Sequence, residues 1–326
     1  MIELQDNNLT FRFPEVHPEA GCQIDFQRTL RIPDDNQEYP LPPGLGRFPV
    51  QHVDDYADHL PEAWRKHGGV FVPMYQAEAL WINFSGYYPC AIKIAAGKIN
   101  AVSGEAWKNE LSAKPQDYVV SPEQPWLDGF NVSEGHIRQF VAMPLGEGYT
   151  AEEQITGEAE HGGLQIIVYP MKAEVYEKLA THRVEEVCYD MAPPTAKDTL
   201  GMGLAPGGLM RQKIYSDEYG IEAWELEHSS RCFVHLASSA EYQKITGNNP
   251  PHKPPTAQEY ATAGLPWFDC YSDKSSIPGA QGLTSLGSIG AKFFSKHSKP
   301  LPDNQALKPS VITKLEPSTR VRDGKF

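Results

Sequence analysis

The residues of this 326-residue chain best suited to chemistry lie in Gly157-Glu-Ala-Glu-His161-Gly-Gly163, where Glu158, Glu160 and His161 stand on a glycine-flanked turn just ahead of the apolar run Leu164 to Pro170. Carboxylates beside an imidazole at the start of a strand can move protons or hold a ligand, because the sheet fixes their position while the glycines leave room for it. These three are the candidate catalytic residues. The same residue types also suit a solvated polar turn whose glycines supply positive φ.

A second group lies in Glu225-Leu-Glu-His228-Ser-Ser-Arg231-Cys232-Phe-Val-His235, which together with Arg211 gives the candidate ligand-binding residues Arg211, His228, Arg231 and His235. In an extended conformation His235 shares a face with Arg231 while Cys232 points the opposite way, so a local cysteine-histidine dyad is disfavoured. His161, His228 and His235 with Glu160 or Glu227 are metal donors by type, but no spacing among them is one a metal demands. No metal site is assigned, and the sequence names no cofactor.

The glycine-rich stretch Gly201-Met-Gly203-Leu-Ala-Pro-Gly207-Gly208 lacks the Lys-Ser/Thr ending of a phosphate loop, and Pro206 sits where a helix would have to propagate. It is expected to be a flexible connection. Arg211 and Lys213 just after it can meet an anion, and they alternate with Gln212 and Ile214 as an edge strand would. The six tryptophans, Trp64, Trp81, Trp107, Trp126, Trp224 and Trp267, lie mostly near turns, a placement that suits capping of a core and also the walls of a cleft.

The elements that must position these residues read as strands in runs joined by short turns. Apolar stretches at 69–74, 79–84, 89–95, 98–102, 118–121, 136–143, 164–169, 210–215 and 231–237 predict strands, with a hairpin across Ala96-Gly97. Two short helices divide at Leu60-Pro61, and another runs from Met171 to about His182. Thr150-Ala-Glu-Glu153 and Thr256-Ala-Gln-Glu259 are capping boxes that start two more. Without regular alternation of strand and helix, the fold class is α+β and β-rich, an antiparallel or mixed sheet system with short peripheral helices. Three regions are expected: an irregular Pro-rich arm over 1–50 packed on the body, a globular α+β body over 51–294, and a flexible basic tail over 295–326 whose composition predicts disorder.

Composition narrows the function classes. The formal net charge is −13, and the segment 296–326 is itself basic, so the preceding body is more acidic still. Such a body repels phosphate backbones, which argues against nucleic-acid binding. No apolar stretch approaches the roughly 20 residues that cross a bilayer, and the first residues carry no signal-like apolar run, so a soluble, cytoplasmic protein is expected. Five scattered cysteines without a CxxC fit reduced thiols. Two functions follow as expectations: an enzyme or binding protein for a small polar ligand, with His161, Arg211 and the His228 to His235 segment lining one pocket, or a non-catalytic subunit that forms a homo-oligomer or binds a partner through its arms.

Overall fold

The apolar runs pair with partners far away in the chain, and a computed structural model describes residues 1–180, 201–270 and 274–315. The first part carries β1 (Ile2–Gln5), β2 (Asn8–Arg12), β3 (Gly21–Thr29), β4 (Glu38–Tyr39), β5 (Gly44–Arg47), β6 (Gln51–His52), a 3-10 turn at Asp54–His59, α1 (Glu62–His67), β7 (Val70–Met74), β8 (Ala79–Ser85), β9 (Cys90–Ala96) and β10 (Ile99–Asn100). Then come β11 (Val119–Ser121), β12 (Trp126–Leu127), β13 (Gly129–Ser133), β14 (His136–Pro144), α2 (Ala151–Thr156), β15 (Leu164–Pro170) and α3 (Ala173–Ala180). The last part holds β16 (Met202–Arg211), β17 (Ser230–Ser238), α4 (Ser239–Thr246), α5 (Ala257–Thr262), β18 (Trp267–Cys270), α6 (Gln281–Thr284), α7 (Ile289–His297) and β19 (Ile312–Leu315).

One sheet runs β1-β2-β3-β8-β14-β16-β4, with β5, β12 and β13 attached to β3, β8 and β14. Its pairs are antiparallel except β4 beside β16. A second runs β10-β9-β15-β17-β7-β6 with β11 on β9, and there only β7 beside β17 is parallel, while β18 and β19 form a separate parallel pair. Both sheets feed one apolar core, Ile24, Phe26, Ile82, Phe84 and Phe140 from the first with Ile92, Ile94, Ile166, Val168 and Val234 from the second. Each such side chain contributes on the order of 1.5–3 kcal/mol by leaving water. In the second sheet β9 and β15 are buried at every position. Part of its outer face is covered in turn, where Val53, Leu60, Tyr242 and Ile245 pack on Phe71 and Ala237. The fold is thus α+β and β-rich with short helices, as the turn-linked apolar runs predict.

Local chemistry explains the helix boundaries. Thr150 accepts the Glu153 N–H at 3.2 Å while Glu153 accepts the Thr150 N–H at 3.1 Å, and Gly157 closes α2 in the left-handed region at φ 77°. The Thr256 box forms in the same way. Pro61 stands at the start of α1 and Gly68 ends it.

The glycine-rich stretch is not a loose connection: residues 202–208 lie in β16, where 202–206 and 209–211 pair with β14 and the register shifts across Gly207 and Gly208. A Cβ on Gly207 would fall 2.5 Å from Val141 Cγ2, and one on Gly208 2.4 Å from the Pro33 carbonyl oxygen. These glycines therefore serve close approach, and Pro206 sits where the β14 register shifts. Residues 1–50, read as an irregular arm, supply five strands, with β3 lying between β2 and β8. Their prolines flank the strands instead of interrupting them, and Cys22, Ile24 and Phe26 alternate into the core. Of the tail expected from Ser295, residues 295–315 lie along the body. Leu301 and Leu307 are buried, Arg31 donates to the Pro302 carbonyl at 2.7 Å, and Asn304 Oδ1 accepts the Asp34 N–H at 2.7 Å. Residues 316–326, like Cys188 and the end of the helix expected to reach His182, lie outside the described residues. Among the described residues no helix is long and apolar enough to cross a membrane.

Candidate functional site

The expected single pocket divides into separate places. His161 follows α2 on a loop whose His161 and Gly162 N–H groups donate to Glu152 Oε2 at 3.2 and 3.0 Å. Its ring stands edge-on to His67 with centroids 5.3 Å apart, and His67 packs on Phe233 at 4.8 Å. His235 stacks on Trp64 at 4.7 Å and its Nε2 lies 3.0 Å from the Gly68 carbonyl. Burial, together with His67 and His161 nearby, pushes His235 down to about 4, although the Gly68 carbonyl favours its charged form. Burial lowers His67 as well, reinforced by His161 and Lys66 and opposed by Glu160. Glu160 pairs with Lys98, which holds it below the usual carboxylate range, and Glu158 lies 3.6 Å from the same ammonium. Thus His161, Glu160 and His235 come together, with His67 and Lys98 as neighbours that sequence reading missed. Among the described residues no three His, Cys, Asp or Glu side chains are disposed to hold a metal.

The other candidates lie apart from this cluster. Along β17 the expected alternation holds, with Cys232 in the core and Arg231 over the rings of Phe233 at 5.9 Å and Trp107 at 5.8 Å. Arg231 borders a cavity of about 380 Å³ with Asn109, Tyr169 and Leu226. His228 is exposed on the preceding turn, 3.7 Å from Glu225.

Arg211, at the end of β16, opens onto a cleft of about 850 Å³. The ladders place its neighbours: Arg211 is opposite His136 on β14, and Glu38 pairs with Leu209 two residues earlier on β16. Glu38 forms an ion pair with Arg211 and takes His136 Nε2 at 3.1 Å, while His136 Nδ1 lies 3.0 Å from the Glu134 carbonyl. His136 thus stands between the Glu134 carbonyl and the Glu38 carboxylate and helps to position Glu38. Arg211 is 65% exposed at its side chain and meets Glu38 through Nε, and a guanidinium with five N–H donors has others to offer the cleft.

Three glutamines fasten the far wall, where residues 212–217 run beside 116–128 without strand pairing. Gln212 Oε1 accepts the Asp128 N–H at 2.9 Å and its Nε2 donates to Asp128 Oδ2 at 2.8 Å. Gln124 donates to the Trp126 and Lys213 carbonyls at 3.1 and 3.2 Å and accepts the Tyr215 N–H at 3.0 Å. Gln116 donates to the Tyr118 and Tyr215 carbonyls at 2.9 and 3.1 Å and accepts the Asp217 N–H at 2.9 Å. Each amide replaces a ladder rung, so the wall is set before any ligand arrives. Behind it, burial pushes the Asp128 carboxyl up to about 7, opposed by the Trp126 indole N–H and the Gln212 amide that face it.

Sequence reading found Arg211, placed Trp126 among six tryptophans suited to a core cap or a cleft wall, and missed Glu38, His136 and the three glutamines. The alternation of Arg211 and Lys213 and the turn position of Trp126 were the signals for this wall; the parallel pairing of β4 with β16 has none in the local sequence. Compared with known protein families, curated proteins and solved structures, the chain matches none.

Proposed function

We propose that the protein binds a small polar molecule in the cleft beside Arg211. The observation that carries this reading is a preformed recess of about 850 Å³ whose wall is fixed by Gln124 and Gln212 and whose rim offers guanidinium donors of Arg211. That volume lies within the roughly 300–1,000 Å³ typical of small-molecule sites, which are concave and carry a few convergent polar groups. A rigid wall lowers the ordering entropy lost on binding.

The histidine cluster supports the reading less well, because His67, His161 and His235 spend their rings on one another and on Phe233 and Trp64. Calorimetric titration of compounds that raise the melting temperature of the full chain tests the assignment. Arg211→Ala is expected to weaken binding about tenfold, equivalent to about 1.4 kcal/mol, with melting unchanged. His161→Ala is expected to bind like the parent. Full affinity in Arg211→Ala, or loss in His161→Ala alone, would move the site to the histidines.

A further inference from the structure

Resting on that reading of the cleft, we infer that its ligand class is a neutral saccharide. Charges of both signs line the recess in equal number, Glu38, Glu134 and Asp269 against Arg211, Lys213 and Lys274. Glu38 is held by Arg211 and His136, Glu134 accepts the Ser276 hydroxyl at 3.3 Å, and the Lys274 ammonium lies 5.4 Å over the Tyr215 ring. Three acidic and three basic side chains leave the lining without a surplus of either sign to hold a ligand of net charge. A hydroxyl asks for less. It donates to a lone pair that a paired carboxylate still has and accepts from an N–H that a paired guanidinium still has, so both signs in one wall suit it.

The aromatic part of the lining points the same way. Trp126 lines the cleft and is only partly buried, yet its indole N–H faces the buried Asp128 carboxyl and its carbonyl accepts from Gln124 and Gln212. The polar edge is thus used behind the wall, and what remains for a ligand is ring surface. Trp81, edge-on at 6.1 Å, fixes its orientation. A pyranose ring has the complementary build, one face of C–H groups to lie on an indole and a rim of hydroxyls that each donate and accept. A fixed aromatic plane beside balanced charges suits a hydroxylated ring.

Saturation-transfer NMR on the full chain tests this with three sets of probes: neutral saccharides (glucose, galactose, N-acetylglucosamine, maltose, cellobiose), the zwitterions glutamate and lysine, and the anions citrate and phosphate. The expected result is saturable transfer to a saccharide, strongest at the C–H protons of one ring face. Its affinity should fall about tenfold in Trp126→Ala and in Arg211→Ala; should Trp126→Ala fail to fold, Trp126→Leu and Arg211→Ala carry the comparison. Binding of a charged probe that Arg211→Ala abolishes, with every saccharide silent, overturns the saccharide assignment and leaves the cleft as the site. A saccharide held equally well by all the variants overturns the assignment and the cleft together, as does silence from all three sets.

Discussion

Gln212 and Asp128 are joined by two hydrogen bonds, the glutamine oxygen accepting the aspartate N–H at 2.9 Å and the glutamine nitrogen donating to Oδ2 at 2.8 Å. Both residues are buried, so neither bond has water to replace it. Gln212→Ala is expected to lower unfolding free energy by about 1–3 kcal/mol, because a buried acceptor and a buried donor lose their partner together. Urea unfolding measures it, and a change under about 0.5 kcal/mol, the range of unremarkable surface substitutions, would show that the staple does not hold the wall.

The Asp128 carboxyl gives this wall a pH dependence of defined sign. Its folded value of about 7 lies above the ordinary carboxyl range near 4, so the folded state binds more protons between those limits and stability falls as pH rises through them. Melting temperatures of the parent and of Asp128→Asn, compared from pH 4 to pH 8, should diverge, with the parent losing ground to the variant as pH rises. Parallel curves would contradict the burial of an ionisable group there.

His235 acts in the opposite direction. With a folded value of about 4 against an ordinary 6.5, it binds fewer protons folded than unfolded, so the stability it supplies above pH 6.5 is lost as pH falls toward 4. His235→Gln retains a donor for the Gly68 carbonyl and removes the titration. The parent should melt progressively earlier relative to this variant on acidification, and an unchanged difference from pH 7 to pH 4.5 would refute the account of the cluster.

Cys22, Cys90 and Cys232 are buried, and burial pushes the Cys232 thiol up to about 12 and raises Cys90 as well. Thiolate is the reactive form, so none of the three should take N-ethylmaleimide in the native protein, and all should do so in denaturant. Peptide mass spectrometry reads each cysteine separately.

What was legible in the sequence was local. The Thr150 and Thr256 caps, the division at Pro61 and the alternation that turns Cys232 away from Arg231 and His235 all depend on residues within a few positions of one another. What was not legible depends on distant pairing. His67 reaches His161 because β7 and β15 flank β17, and Glu38 reaches Arg211 because β4 lies parallel to β16. Glycines 207 and 208 look like flexibility in a one-dimensional reading, and only the approach of Val141 and Pro33 makes them strand residues. Gln124 and Gln212 carry no signal at all until the segments they join are neighbours.

A crystal structure of the complex with the tightest-binding compound shows whether the ligand sits beside Arg211. Density is expected in the cleft, against the Trp126 ring and within hydrogen-bond distance of the Arg211 guanidinium. Density beside His161 and His67, or in the cavity bordered by Arg231, with the Arg211 cleft filled only by water, would contradict that placement.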